Sequence, residues 1–163
     1  MTHQSDKNSY VYHPLYGSEP IPSEFDYSTE EVASAHWRYR SLKFFRETAI
    51  PANINKQNFA LFPRSLYVDI EEECVDCHRL FIFYALEQKY WFEELRFWVD
   101  AHCIRCIECR KKDQEIKNMQ RRYGDLVSKE NRTNDETAEL KSIALELYQL
   151  GYMKNIHKVN KIS

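Results

Sequence analysis

All five cysteines of this 163-residue chain, Cys74, Cys77, Cys103, Cys106 and Cys109, fall inside one 36-residue window, and the other 127 residues contain none. If the sulfurs act together, distant parts of the chain must meet at one point, so no other feature constrains the fold as strongly. Residues 1–7 carry no hydrophobic segment of the kind a secretory signal needs. The longest strongly apolar run, residues 80–86, falls far short of the roughly 18 residues of a membrane helix. The expectation is a soluble, cytoplasmic protein with no membrane partner, and in that reducing setting crowded thiols point to a metal rather than to disulfides.

A Cys-x-x-Cys pair presents two thiolates from one tight turn, at two corners of a tetrahedron around zinc with bonds of roughly 2.3 Å. Cys74-Val75-Asp76-Cys77 is one such pair and Cys106-Ile107-Glu108-Cys109 another, with 28 residues between them. Together they complete a four-sulfur Zn2+ shell. Cys103-Ile104-Arg105-Cys106 is an equally good pair by spacing, so Cys103 stands as an alternative ligand. A helix beginning near Cys106 favours Cys106 and Cys109, because first-turn amides and the positive end of the dipole stabilise thiolates there. His78 and His102 are weaker substitutes in a chain with five cysteines.

Other chemistries fit less well. Cys74-Val75-Asp76-Cys77-His78 also spells a c-type haem attachment sequence, but that reading needs export and leaves the second pair idle. Neither pair opens a helix after a parallel strand, as a thioredoxin-like redox pair would. Catalytic zinc keeps an open corner, whereas four cysteines close the shell, and the His-x-Glu pattern of zinc deaminases is absent. There is no Gly-x-Ser-x-Gly elbow, and three glycines, Gly17, Gly124 and Gly151, cannot build a phosphate-cradling loop. The chain reads as non-enzymatic, with no small-molecule substrate.

Hydrophobic residues make up 43% of the chain, enough for a packed core. Residues 1–27 contain three prolines and no helical period, and read as an extended arm able to lie on the core through Tyr10, Tyr12, Tyr16 and Phe25. Residues 28–65 read as a helix and a connecting loop. The capping box at Ser28-Thr29-Glu30-Glu31 starts the helix, Val32, Ala35, Trp37, Tyr39, Leu42 and Phe45 form its apolar stripe, and Pro51 ends any continuation. Residues 66–123 read as the zinc domain: strands at 66–70 and 80–84 frame the first pair as a β-hairpin, a helix over 87–97 puts Leu86, Tyr90 and Trp91 on one side with Leu95 and Trp98 following, and a helix over 106–122 turns Ile116 and Met119 inward and closes at Gly124. Residues 124–163 read as a helical hairpin, with a capping box at Thr133-Asn134-Asp135-Glu136, a stripe through Leu140, Ile143, Ala144 and Leu147, a stop at Gly151, and a shorter closing helix through Tyr152, Ile156, Val159 and Ile162. The class is α+β: a zinc knuckle, a β-hairpin and a helix, preceded by an N-terminal helix and followed by a helical hairpin.

The run from Tyr67-Val68-Asp69 through Cys-Val-Asp-Cys, Phe81-Ile82-Phe83 and Glu87-Gln88-Lys89-Tyr90-Trp91 to Arg105-Cys106-Ile107-Glu108-Cys109-Arg110-Lys111-Lys112 resembles the probable zinc-ribbon, or treble-clef, domain family of bacterial proteins. Glu47-Thr48-Ala49-Ile50-Pro51 and Lys56-Gln57-Asn58 share the likeness, which covers residues 43–112. The resemblance implies a treble clef with zinc ligands at Cys74, Cys77, Cys106 and Cys109. His78 stands where such proteins commonly have glycine. The family brings no established activity.

The formal charge is −2, and four zinc-bound thiolates make it about two units more negative. Acidic residues gather at Asp69, Glu71, Glu72, Glu73 and Asp76, and basic ones at Arg105, Arg110, Lys111, Lys112, Lys117, Arg121 and Arg122. The basic set reads either as an offset to the thiolate centre and a solvated helix face or as a phosphate-binding surface. The first expectation is a zinc-stabilised protein that binds another protein through its arm, acidic strand or helical tail, as an inhibitor or neutralising partner would. The alternative is a nucleic-acid-binding module using the basic helix.

Overall fold

The computed structural model describes residues 9–162; residues 1–8 of the expected arm, and Ser163, lie outside the described residues. The chain divides into two compact units, Met1–Cys109 and Arg110–Ser163. The division falls inside a helix, upstream of the boundary at 123–124 read from composition.

In the first unit, α1 spans Thr29–Ser34 and is closed by the capping box: Ser28 Oγ accepts the Glu31 amide while the Glu31 carboxylate accepts the Ser28 amide. The helix ends at Ala35 rather than continuing toward Pro51. Beyond it come single 3-10 turns at Tyr39–Ser41 and Arg46–Thr48. The cause is long-range. Residues 43–45 run beside another strand, the Glu71 amide donating to Lys43 O at 2.9 Å and the Phe45 amide to Asp69 O at 3.0 Å, and those bonds outweigh a weak local helical preference. Trp37, read from the stripe as inward, is exposed and donates its indole N–H to Asp100.

Strands β1 (Ile50–Pro51) and β2 (Leu66–Tyr67) pair antiparallel, as do β3 (Ile70–Glu73) and β4 (Leu80–Phe83), with Ile70 opposite Phe83 and Glu73 opposite Leu80. The single strand expected over 66–70 breaks between β2 and β3, where buried Asp69 accepts the amides of Ile21 and Ala85. The arm lies along the hairpin: the Val11 amide donates to Leu80 O, and the Tyr10 hydroxyl donates to the Glu71 carboxylate. Val11 and His13 are its buried residues, whereas Tyr12 and Phe25 stay exposed. Val32, Ala35 and Tyr39 pack with Ile70, Phe81, Phe83, Cys74 and Cys106 in one core cluster.

Helix α2 (Ala85–Lys89) passes into a π-helical turn over Tyr90–Glu94, closed by the Leu95 amide on Tyr90 O. Its burial follows the apolar pattern only in part: Ala85 and Phe92 are buried and Trp91 packs against the core, but the rest departs from it. Glu87, Gln88 and Glu93 are buried, while Leu86, Tyr90, Leu95, Phe97 and Trp98 are 43–54% exposed. Glu87 lies 3.5 Å from His13 Nε2, and the other two are hydrogen-bonded. Gln88 Nε2 donates to Val68 O and Phe83 O, and Glu93 accepts from Tyr67 and Asn53. That satisfaction makes their burial tolerable.

Helix α3 covers Ile107–Ser128 and therefore runs through Gly124, which does not close it; the one glycine among good helix formers weakens the helix without stopping it. Ile116 and Met119 are half-buried. In the second unit, α4 (Asn134–Gln149) starts at the Thr133–Glu136 capping box and buries Leu140, Ala144 and Leu147. Gly151, at φ 85, ends it in a Schellman turn: the Tyr152 amide reaches Leu147 O and the Gly151 amide reaches Tyr148 O. The closing helix α5 is only Ile156–Asn160, capped by Asn155. Among the described residues, no helix is long and apolar enough to cross a membrane.

Candidate metal centre

The β3–β4 hairpin tip carries Cys74 and Cys77. The turn is held by the Cys74 amide on Arg79 O and the His78 amide on Cys74 O, and it requires a left-handed residue, which His78 supplies at φ 61. Cys106 immediately precedes α3 and Cys109 sits in its first turn. The Cys109 amide bonds back to the Cys106 sulfur, so that sulfur occupies the place of an N-cap acceptor.

All four Sγ atoms lie within 4.8 Å of one another. The Cys77–Cys106 separation is 3.8 Å, and the edge of a tetrahedron with bonds of roughly 2.3 Å is about 3.8 Å. The donor set and its spacing therefore fit a tetrahedral metal ion. Cys103 is buried beside the site but is outside the four-sulfur group, and its thiol points to Arg105 O at 3.4 Å. Burial pushes the Cys74 thiol up, yet the amides of Cys77, Cys106 and Asp76 overcome this and hold it at about 6. Burial and the neighbouring sulfurs drive Cys109 well above the ordinary thiol range. Four thiols this close cannot all ionise without a cation among them.

Two ion pairs brace the cysteine turns across the site. Asp76, inside the first pair, meets Arg105 at 2.8 Å; Glu108, inside the second, meets Arg79 at 2.9 Å. The Val75 amide also donates to Ile104 O at 3.0 Å. Sequence reasoning passed over Arg79, although the exchange of acid and base between the two turns was visible in the spacing. Of the basic residues proposed for phosphate contact, Arg105 is thus engaged at the metal site, Lys117 pairs with Asp113 and Arg122 pairs with Glu139 through two bonds. Arg110 is half-buried, and Lys111, Lys112 and Arg121 are exposed. The acidic stretch is largely used internally, Glu71 by Tyr10 and Lys43, Glu72 by His102 and Glu73 by His78.

A cysteine turn at a hairpin tip, followed by a helix whose first turn supplies the second pair, defines a treble-clef metal-binding domain. Residues 68–118 match the family described as Probable treble clef domain. The match begins at Val68, leaving the likeness at 47–58 outside it, and extends to Asn118. Neither a curated protein nor a solved structure gives a significant match to the chain.

Proposed function

We propose that the metal is a structural zinc ion and that the protein is a non-enzymatic module that binds another protein. Zinc is favoured because four converging thiolates in tetrahedral spacing suit it above harder ions, and sulfur in every corner leaves no position for a reacting water. The observation that carries protein binding is the exposed apolar face around α2: α2 and its π turn bury Glu87, Gln88 and Glu93 along with Ala85 and Phe92, while Leu86 and Tyr90, and Leu95, Phe97 and Trp98 just beyond the turn, face outward. A folded chain that bonds its polar side inward and turns aromatic residues to solvent has a surface suited to a partner. The arm and acidic strand are already engaged with the core, so this face is the better docking surface.

Zinc-loaded full-length protein and a Leu86→Glu/Tyr90→Glu variant are purified from native lysate. Wild type retains a stoichiometric protein partner that the variant loses, with zinc content and thermal midpoint unchanged. Equal retention by both, or no partner on either, refutes the reading.

A further inference from the structure

The second unit carries twelve basic against eight acidic residues, whereas the first carries eleven against seventeen. The near-neutral total conceals this separation. After Glu146 the chain has no acidic residue, but it has Lys154, Lys158 and Lys161. On α3, successive residues turn by about 100°, which gathers Arg110, Lys117 and Arg121 into one stripe with Lys111 and Arg122 beside it, on the side away from half-buried Ile116, Met119 and Tyr123.

Beside α3 lies a cleft of about 310 Å³ lined by Gln120, Tyr123, Leu147, Tyr152, Lys154 and Lys158, among others. That volume falls at the lower end of the roughly 300–1,000 Å³ typical of ligand sites. Its floor includes buried Leu147, Tyr123 is half-buried, and Tyr152 is 55% exposed. The Schellman turn at Gly151 sets Tyr152 and Met153 at the cleft, since both amides bond to Leu147 O. An aromatic-walled cleft with an apolar floor and a lysine rim has the chemistry of a base seat flanked by phosphates. Gln120 joins Tyr123 on the α3 side of the cleft, and the cationic stripe of α3 lies on another face of that helix.

We propose that the second unit binds single-stranded nucleic acid, one base entering the cleft against Tyr123 and Tyr152 while adjoining phosphates meet Lys154 and Lys158. A duplex keeps its bases stacked and cannot offer one to the cleft, so a single strand is the preferred form.

The test is fluorescence anisotropy of zinc-loaded full-length protein with a labelled pyrimidine RNA strand, the matching DNA strand and the corresponding duplex, titrated with salt. At about 50 mM salt a single strand binds more tightly than the duplex, and the better of the two strands identifies the natural sugar. Lys154→Ala with Lys158→Ala lowers the steepness of log K against log salt by about 1.4, the value for two phosphate contacts on a single strand. Tyr152→Ala weakens binding about tenfold, Tyr152→Phe leaves it within about twofold, and Lys141→Ala on α4, away from the cleft, has no comparable effect. These side chains are exposed, and helical circular dichroism confirms that each variant folds. Absence of salt-sensitive binding, a duplex preference, or equal losses from Lys141→Ala and the cleft variants overturns the proposal.

Discussion

Replacing Cys106 with serine tests the metal centre most sharply when set against Cys103→Ser, because both thiols are buried and only three residues apart. Without the ion, the two cysteine turns are joined by two half-exposed ion pairs, at up to about 1 kcal/mol each, and by the Val75–Ile104 bond, at about 1 kcal/mol, giving roughly 3 kcal/mol in all. Zinc in small metal-folded peptides contributes an apparent ~10–16 kcal/mol, so the ion outweighs every other link across the site. Cys106→Ser therefore loses the ion and opens the clasp, while Cys103→Ser exchanges a weak thiol contact for a hydroxyl at a loss of about 1 kcal/mol. Elemental analysis reads one zinc per chain for wild type and Cys103→Ser and none for Cys106→Ser. Thermal unfolding shows Cys103→Ser lowered by roughly 2–4 °C and still chelator-sensitive, whereas Cys106→Ser no longer responds to chelator. Zinc retained by Cys106→Ser but lost from Cys103→Ser would show that the ligand set is wrong.

His78→Gly relieves the left-handed backbone at an exposed turn and raises stability by about 0.5–1 kcal/mol with zinc content unchanged, as denaturant melts would show; a loss would mean that the His78 side chain contributes more than its contact with Glu73. Gly124→Ala, where a methyl group meets nothing within 4 Å, stabilises α3 by about 0.5–1 kcal/mol and increases helical circular dichroism; a decrease would contradict the continuous helix. Burial pushes Asp69 up to about 6, against the amides of Ala85 and Ile21 that pull it down. Because its folded pKa is raised, the native state takes up a proton first: wild type gains about 1.4 kcal/mol relative to Asp69→Asn between pH 7 and pH 5, and a flat difference in paired melts would exclude the shift. Arg64→Lys loses about 3 kcal/mol or more, since an ammonium cannot reproduce the guanidinium's bonds to Val99 O and Ala101 O while stacking on Phe92; a melt within about 1 kcal/mol of wild type would refute that role.

Local chemistry wrote some elements plainly. Both capping boxes form because a serine or threonine and a glutamate three residues on need only each other, and Gly151 ends α4 because its backbone alone takes φ 85 without strain. The cysteine turns were legible for the same reason: two ligands three positions apart need one turn. Which later cysteines converge depends on where α3 begins, and Cys106 as the cap of that helix puts Cys109, rather than Cys103, one turn along. The illegible elements depend on distant partners. Nothing near residues 43–45 announces the strand edge at Glu71, and the apolar pattern of α2 pointed inward until Val68, Phe83 and Tyr67 supplied bonding partners for Gln88 and Glu93. Arg64 was missed altogether, because an arginine between Pro63 and Ser65 reads as solvent-facing although it is 1% exposed.

That buried arginine bears on how far metal loss should spread. The chain between the π turn and Cys103 has almost no regular structure, yet it must deliver the second pair of ligands to the first. Arg64 holds Val99 O and Ala101 O, Arg38 holds Asp100 O, the Asp100 carboxylate accepts from Trp37, and His102 lies between Glu72 and Arg38. These contacts hold residues 99–102 in place independently of the ion, and Cys103 is tied into the same core cluster. Opening after metal removal is thereby confined to the hairpin tip and the residues just beyond Cys103, where the sulfur shell and its two bracing ion pairs are the main restraints. A metal ion held by the four sulfurs would act as a clasp on a path that the polar network has already laid.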